Sequence, residues 1–177
     1  MRVIARFEDK EFPYVKTTHL RQVVRGIVFD DNYKIALLRV KNNAEPFGER
    51  DLYETPGGGK EKGETLIDAF RREIYEEVGA ILDDEIIELG RVVDYYNKIY
   101  RKNDNHYYMA HIKSLGDRHL VDYESEWNIG LVFMDIDDAI EAYKNMRDLP
   151  VNNLVRQREL PILMLAKKRL EKLKRKE

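Results

Sequence analysis

The sequence predicts an α/β (α+β) fold, a mixed β-sheet packed between helices in an α/β/α sandwich. Three observations carry that prediction. Short runs rich in β-branched and aromatic residues recur between turn signals. Thr65 to Val78 has the apolar spacing of an amphipathic helix. Strands and helices are interspersed without the regular alternation that builds a doubly wound parallel sheet. At 177 residues, 43% of them hydrophobic, the chain suits one core of ordinary size, and the expected organisation is a single domain over 1–177.

The elements follow in order. Val23–Asp30 and Tyr33–Val40 read as two strands around Asp30-Asp31-Asn32, a hairpin signal. Arg50–Thr55 reads as a short strand that runs into Pro56-Gly57-Gly58-Gly59, a strong breaker. Thr65 suits the N-cap of the following helix, with Asp68 three residues on as a variant capping box. Ile67, Phe70, Ile74 and Val78 form the apolar stripe of that helix, and Gly79 suits its C-terminal stop. Leu89–Tyr96, His106–Ile112 and Ile129–Asp135 read as three more strands. Asp137 is expected to cap a helix through about Met146. The last segment is helical, with Pro161 suited to a first helical turn.

Composition excludes several classes of function. Charged residues make up 36% of the chain, but acids and bases nearly cancel at a formal net charge of -2, which argues against nonspecific nucleic-acid binding. There is no cysteine, hence no disulfide, thiolate metal site or cysteine nucleophile. The N-terminus alternates apolar and charged residues without the apolar stretch of a signal peptide, and no run approaches a membrane span. The expectation is a cytoplasmic protein that engages no membrane. His19, His106, His111 and His119 show no metal-ligand spacing and read as structural or surface residues.

The chemistry concentrates between Gly57 and Ala80. Successive helical residues turn by about 100°, so Glu73 and Glu77 lie roughly 40° apart, with Glu76 about 60° to the other side of Glu73. Three carboxylates on one shoulder repel each other, and a nearby core raises that cost unless a cation is present. Mg²⁺ is a hard cation that bridges carboxylates to substrate phosphates. Alone, such glutamates also describe a solvated helix face; the glycine-rich turn that enters the helix from a strand is either simply a tight turn or one that brings backbone groups close to a phosphate or metal.

Gly58, five residues, Glu64, seven residues, then Arg72-Glu73-Ile74-Tyr75-Glu76-Glu77-Val78-Gly79-Ala80 resembles the box of the Nudix hydrolase family (MutT-like) at every fixed letter. Only the last position departs, Ala80 being smaller than the usual bulky aliphatic. Tyr53 ahead of Thr55-Pro56-Gly57-Gly58, and Leu37-Leu38-Arg39 in the preceding strand, add to the likeness. The resemblance implies a Nudix-like sandwich and a hydrolase that cleaves a phosphoanhydride bond in a nucleoside diphosphate linked to another group. It implies Mg²⁺ or Mn²⁺ held by Glu73, Glu76 and Glu77, with the Gly57 carbonyl as a further ligand. Arg72 would orient the carboxylates, and Glu64 would support the loop or reach the metal only through water. The general base stays open between Glu77 and Glu73 in the box and Glu124 and Glu126 in a distant loop. The resemblance also admits a homodimer.

Downstream residues select the substrate less clearly. Tyr95 stands where a proline would mark the ADP-ribose group of the family. Lys98, Tyr100, Arg101 and Lys102 form a basic, aromatic stretch able to hold a phosphate or stack a base. Arg25 and Arg39 fall in adjacent strands and are expected, with Tyr53 ahead of the glycine turn, to contact the substrate, the two arginines at its phosphates. Two alternatives accompany the hydrolase reading. A nucleotide-sensing regulator is disfavoured by the intact box, and an RNA 5′-end pyrophosphohydrolase is suggested only by the basic C-terminal tail. An isopentenyl-diphosphate isomerase is excluded because it relies on a catalytic cysteine.

Overall fold

Alternation of side chains along the strands decides which residues meet on each face of the sheet. In the computed structural model, which describes residues 1–44, 46–120 and 129–175, the strands are β1 (Val3–Glu8), β2 (His19–Phe29), β3 (Ile35–Ala44), β4 (Gly48–Glu54), β5 (Ala80–Tyr96), β6 (Arg101–Leu115) and β7 (Ile129–Met134). The helices are α1 (Leu66–Val78), α2 (Ile136–Lys144) and α3 (Pro150–Lys174), with a single 3₁₀ turn at Asn97–Ile99. Among the described residues these strands make one mixed sheet in the order β1-β5-β6-β2-β3-β4, with β7 on β3. β2 runs parallel to β6 and β1 parallel to β5, whereas β5 and β6 are antiparallel. No described helix is long and apolar enough to cross a membrane.

Period-two alternation separates two cores. Val24 and Val28 of β2 and Tyr108, Ala110 and Ile112 of β6 pack with Phe70, Ile74 and Val78 of α1. Ile27 and Phe29 of β2 and Tyr107 and Met109 of β6 face the other way. They pack with Ala139 and Tyr143 of α2 and Ile162, Leu163 and Ala166 of α3. The sandwich expected from the sequence is therefore observed.

α1 begins and ends as its sequence dictates. Thr65 Oγ1 accepts from the Asp68 amide at 3.1 Å, while the Asp68 carboxylate accepts from the Thr65 amide, closing the capping box. Gly79, with φ 75°, forms the left-handed C-cap, and its N–H reaches the Tyr75 carbonyl at 3.1 Å.

Several boundaries differ from the sequence expectation. β1 is not among the predicted strands; it is a half-buried sheet edge with no strong apolar run. β5 starts at Ala80, directly after the Gly79 turn, rather than at Leu89. The N-cap of α2 is Asp135, and Asp137 lies in the first turn, where its charge still favours the positive end of the helix. Pro161 is inside α3, and Pro150 occupies the first turn instead. The interior proline is tolerated because both halves of the helix are anchored, Val151 and Val155 before it and Ile162, Leu163 and Leu170 after it.

The hairpin expected between β2 and β3 is only a hinge. The two strands pair at Phe29 and Ile35 and then diverge. The glycine-rich turn takes the vacated edge of β2: the Val24 amide donates to the Gly58 carbonyl and the Gly26 amide to the Pro56 carbonyl, both at 2.9 Å. That wedge brings α1 carboxylates into one cleft with α3.

Candidate active site

Beyond Ile27 and Tyr107, the face that packs on α3 changes from apolar to polar. On β2 the residues of that parity are Arg25, Val23 and Arg21; on β6 they are Asn105, Asn103 and Arg101; on β5 they are Asp94 and Tyr96. All eight line a cleft of about 340 Å³. Arg50 and Glu54 of β4 form one wall, and Val151, Leu154, Val155 and Arg158 of α3 form another. Gly57, Gly58, Glu73 and Glu77 complete it. Among the described residues, five guanidinium groups and four carboxylates thus face one cleft.

The glycine turn fixes the carboxylate end. Gly57 has φ 140°, and a Cβ there would collide with the Val24 carbonyl oxygen. Its amide donates to Glu77 Oε2 at 2.6 Å. A Cβ on Gly58 would lie 2.5 Å from both oxygens of the Glu73 carboxylate, so glycine leaves room for that group. Glu73 and Glu77 are both buried.

Arg72 ties the box together. Its guanidinium donates to Glu64 Oε1 at 2.9 Å, Glu73 Oε1 at 3.0 Å, Glu76 Oε2 at 3.1 Å and the Gly59 carbonyl at 3.1 Å. The hydrogen bond from Arg72 holds the Glu64 carboxyl below its usual range, and the same bond raises the Arg72 pKa further. Glu64 also accepts from the Glu61 amide at 2.5 Å, which makes it a brace for the loop.

The far wall rests on a buried ionic network. Glu159 is fully buried. Its Oε2 accepts from the Thr55 amide at 2.7 Å and the Tyr143 hydroxyl at 2.6 Å, and its Oε1 from Arg158 Nη2 at 2.6 Å. Arg25 Nη1 lies 3.4 Å from Glu159 Oε1 and 3.5 Å from Glu54 Oε2, and Arg158 Nη2 lies 3.5 Å from the same Glu54 oxygen. Burial alone would raise the Glu159 pKa, but the charges of Arg158 and Arg25 and these hydrogen bonds outweigh it, so the carboxylate stays ionised. Glu159 accordingly fixes two arginines that line the cleft.

Of the residues expected at the site, Glu73, Glu77, Gly57, Arg25 and Arg101 are brought together. Glu76 is turned to Arg72 and does not line the cleft. Arg39 pairs with Asp51 and lies 4.9 Å over the Tyr53 ring, so this pair is engaged away from the cleft. Lys98 stands 5.8 Å over the Phe12 ring, and Tyr100 is exposed beyond the 3₁₀ turn. Glu124 and Glu126 lie outside the described residues. The sequence reading did not single out Arg21, Arg50, Glu54, Asp94, Asn103, Asn105 or Arg158 for the site. Asn103 and Asn105 carried a legible signal, being polar at the strand parity of core Tyr107.

Among the described residues, no three His, Asp or Glu side chains stand close enough to hold a metal ion by themselves. Glu73 and Glu77 nonetheless fit a hard divalent cation. They are buried oxygen donors on one cleft wall, and Mg²⁺ characteristically takes one or two carboxylates and fills its shell with water and substrate phosphates.

A family model described as the NUDIX domain matches residues 19–152. No curated protein matches the sequence. Among solved structures, a NUDIX hydrolase from Nitrosomonas europaea has a TM-score of 0.57 at 21% identity, covering 76% of this chain and 84% of that one. A MutT protein from Methanosarcina mazei Go1 has a TM-score of 0.58 at 16% identity, covering 88% and 99% respectively. A MutT NUDIX hydrolase from Burkholderia pseudomallei has a TM-score of 0.56 at 18% identity, covering 80% and 99%. At these identities the likeness bears on the fold. Arg158 and Glu159 lie beyond the span that the family model matches.

Proposed function

This chain belongs to the NUDIX domain family, and we infer from that premise that it is a hydrolase that cleaves a phosphoanhydride bond in a nucleoside diphosphate linked to another group, with Mg²⁺ or Mn²⁺ as cofactor. One observation supports this reading most strongly: the buried carboxylates of Glu73 and Glu77 share one cleft with five arginines. Arg72 and the Gly57 amide hold the two carboxylates in place, and a divalent cation bound to a polyphosphate would bring positive charge to them and negative charge to the arginines.

The divalent cation supplies, when bound, a positive charge that polarises phosphoryl oxygens and acidifies water. Glu73 and Glu77 would hold it, Glu73 steadied by Arg72 and Glu77 by the Gly57 amide. Arg25 and Arg158, fixed by Glu159, are set to bind the phosphates and to stabilise charge on their oxygens as the bond breaks. In the reaction, water oxygen forms a bond to one phosphorus and the bridging P–O bond breaks. The leaving phosphate takes the electron pair, and the proton of water passes to a cleft carboxylate, for which Glu77 is our assignment.

The test is turnover with Mg²⁺ or Mn²⁺ on dinucleoside polyphosphates, ADP-ribose, nucleotide sugars, nucleoside triphosphates and capped RNA. At least one small nucleotide should yield phosphate products. Glu77→Gln, which keeps an acceptor for the Gly57 amide, should lower kcat by about 100-fold or more with melting unchanged. Unaltered turnover in that variant would refute the assignment.

A further inference from the structure

The two ends of the cleft floor differ in chemistry. Glu73 and Glu77 stand by the glycine turn, which lies along the edge of β2. Moving away from it across the sheet, β2 presents Arg21 and Arg25, β6 then presents Asn105, Asn103 and, at its start, Arg101, and β5 presents Asp94 and Tyr96. Adjacent strands are about 4.8 Å apart, so β6 and β5 lie about 10 and 14 Å from the turn. A nucleotide whose phosphates occupy the carboxylate and arginine end would extend its base over β6 and β5.

The side chains at that end form a fixed array. Asp94 accepts from Asn103 Nδ2 through Oδ1 at 2.8 Å and from Asn105 Nδ2 through Oδ2 at 2.6 Å. Asn105 Nδ2 also donates to the Val92 carbonyl at 3.1 Å. Both donors of the Asn105 amide are thereby used. Its orientation follows chemically, because a flipped amide would set its oxygen against the Asp94 carboxylate. Asn105 is 1% exposed, and its Oδ1 has no hydrogen-bond partner among the described residues. Buried acceptors are rarely left so; this atom is itself closed to solvent, and a ligand donor reaches it from the cleft as the side chains over it shift.

We propose that Asn105, oriented by Asp94 and Asn103, is the specificity-determining acceptor for the exocyclic amino group of a nucleobase. The inference rests on the nucleotide reading of this cleft and deepens it. A planar base suits the site better than a sugar, because Leu154 and Val155 supply an apolar wall opposite a polar floor. The nearby Asp94 charge favours an amino group, whose hydrogens are polarised positive by the ring, over a group that turns a lone pair inward. The cleft therefore takes amino-bearing nucleotides in preference to analogues lacking that group.

The experiment is calorimetric binding of nucleoside monophosphates to the full chain, which needs neither turnover nor metal. The pairs are GMP with IMP, CMP with UMP, and AMP with purine riboside monophosphate. In at least one pair the amino-bearing member should bind about tenfold more tightly, the value of one good hydrogen bond. Asn105→Ala should bring that ratio close to one. Equal binding within every pair, no binding of any of them, or a ratio that survives Asn105→Ala overturns the proposal. If that variant does not fold, Asn103→Ala serves, because it loosens Asp94 while Asn105 stays; the ratio should fall at least threefold, and an unchanged ratio is contrary. Amino selectivity without hydrolysis of any substrate would defeat the proposed function alone, and hydrolysis with equal binding would defeat this inference alone.

Discussion

Glu159 shows how one buried side chain governs distant ones. It is fully buried and answers Arg25, Arg158, Tyr143 and the Thr55 amide together. Removing one partner of such a network leaves the rest desolvated and uncompensated. Glu159→Ala should therefore lower stability by roughly 3–5 kcal/mol in urea unfolding and weaken nucleotide binding in the protein that remains folded. The folded-state pKa of Glu159 lies below its ordinary value, so its contribution is present above the ordinary carboxylate range and is lost as pH falls through the lowered value. In the sequence this residue was silent. Arg158-Glu159 reads as an ordinary charged pair on a helix, and only the packing of α3 against β2 and β4 makes it a hub. The box residues Arg72, Glu73 and Glu77 were legible because their chemistry depends on helical spacing, which is local.

The glycine turn and α1 act together as one element that sets carboxylates against a backbone edge. Their boundaries were legible for the same local reason: Thr65, Asp68 and Gly79 cap the helix through contacts within a few residues. What the sequence did not expose is the divergence of β2 from β3, which gives the turn an edge to occupy. The two glycines should separate in their effects. Gly57→Ala meets both a positive φ and the Val24 carbonyl, so it should cost about 2 kcal/mol or more in stability. Gly58→Ala meets only the end of the Glu73 side chain. It should leave melting within a few degrees while kcat falls about tenfold or more, because a displaced carboxylate no longer positions its ligand. Equal losses of stability in the two variants would count against this account of the turn.

Across the molecule, the sheet is a partition with one opening. α1 covers one face and α2 and α3 the other, and the wedge beside β2 lets groups from both layers share a cleft. The sandwich and most strands were legible from alternation and turn signals. The role of α3 was not, because its contribution depends on where it lies against β2 and β4. At the closed end of the β2–β3 hinge, His111 of β6 bridges Asp83 of β5 at 2.6 Å and Asp31 of the turn at 2.9 Å. Burial lowers its pKa, but the hydrogen bonds and charges of Asp83 and Asp31 outweigh that and raise it above the ordinary histidine value. A raised folded-state pKa stabilises fully below the unfolded value, and that stability is lost as pH rises through the folded value. His111→Gln should accordingly cost more stability at pH 6 than at pH 8.5, by no more than about 1 kcal/mol because the site is solvent-facing; an equal cost at both would contradict the bridge.

The claim on which the chemistry depends is that Glu73 and Glu77 share one divalent cation at the mouth of an arginine-lined cleft. Titration of the protein with Mn²⁺, followed by electron paramagnetic resonance, tests it directly. The account predicts bound Mn²⁺ in the unaltered chain and an affinity at least about tenfold lower in both Glu73→Gln and Glu77→Gln, each loss corresponding to about 1.4 kcal/mol. Equal Mn²⁺ affinity in all three proteins would contradict it.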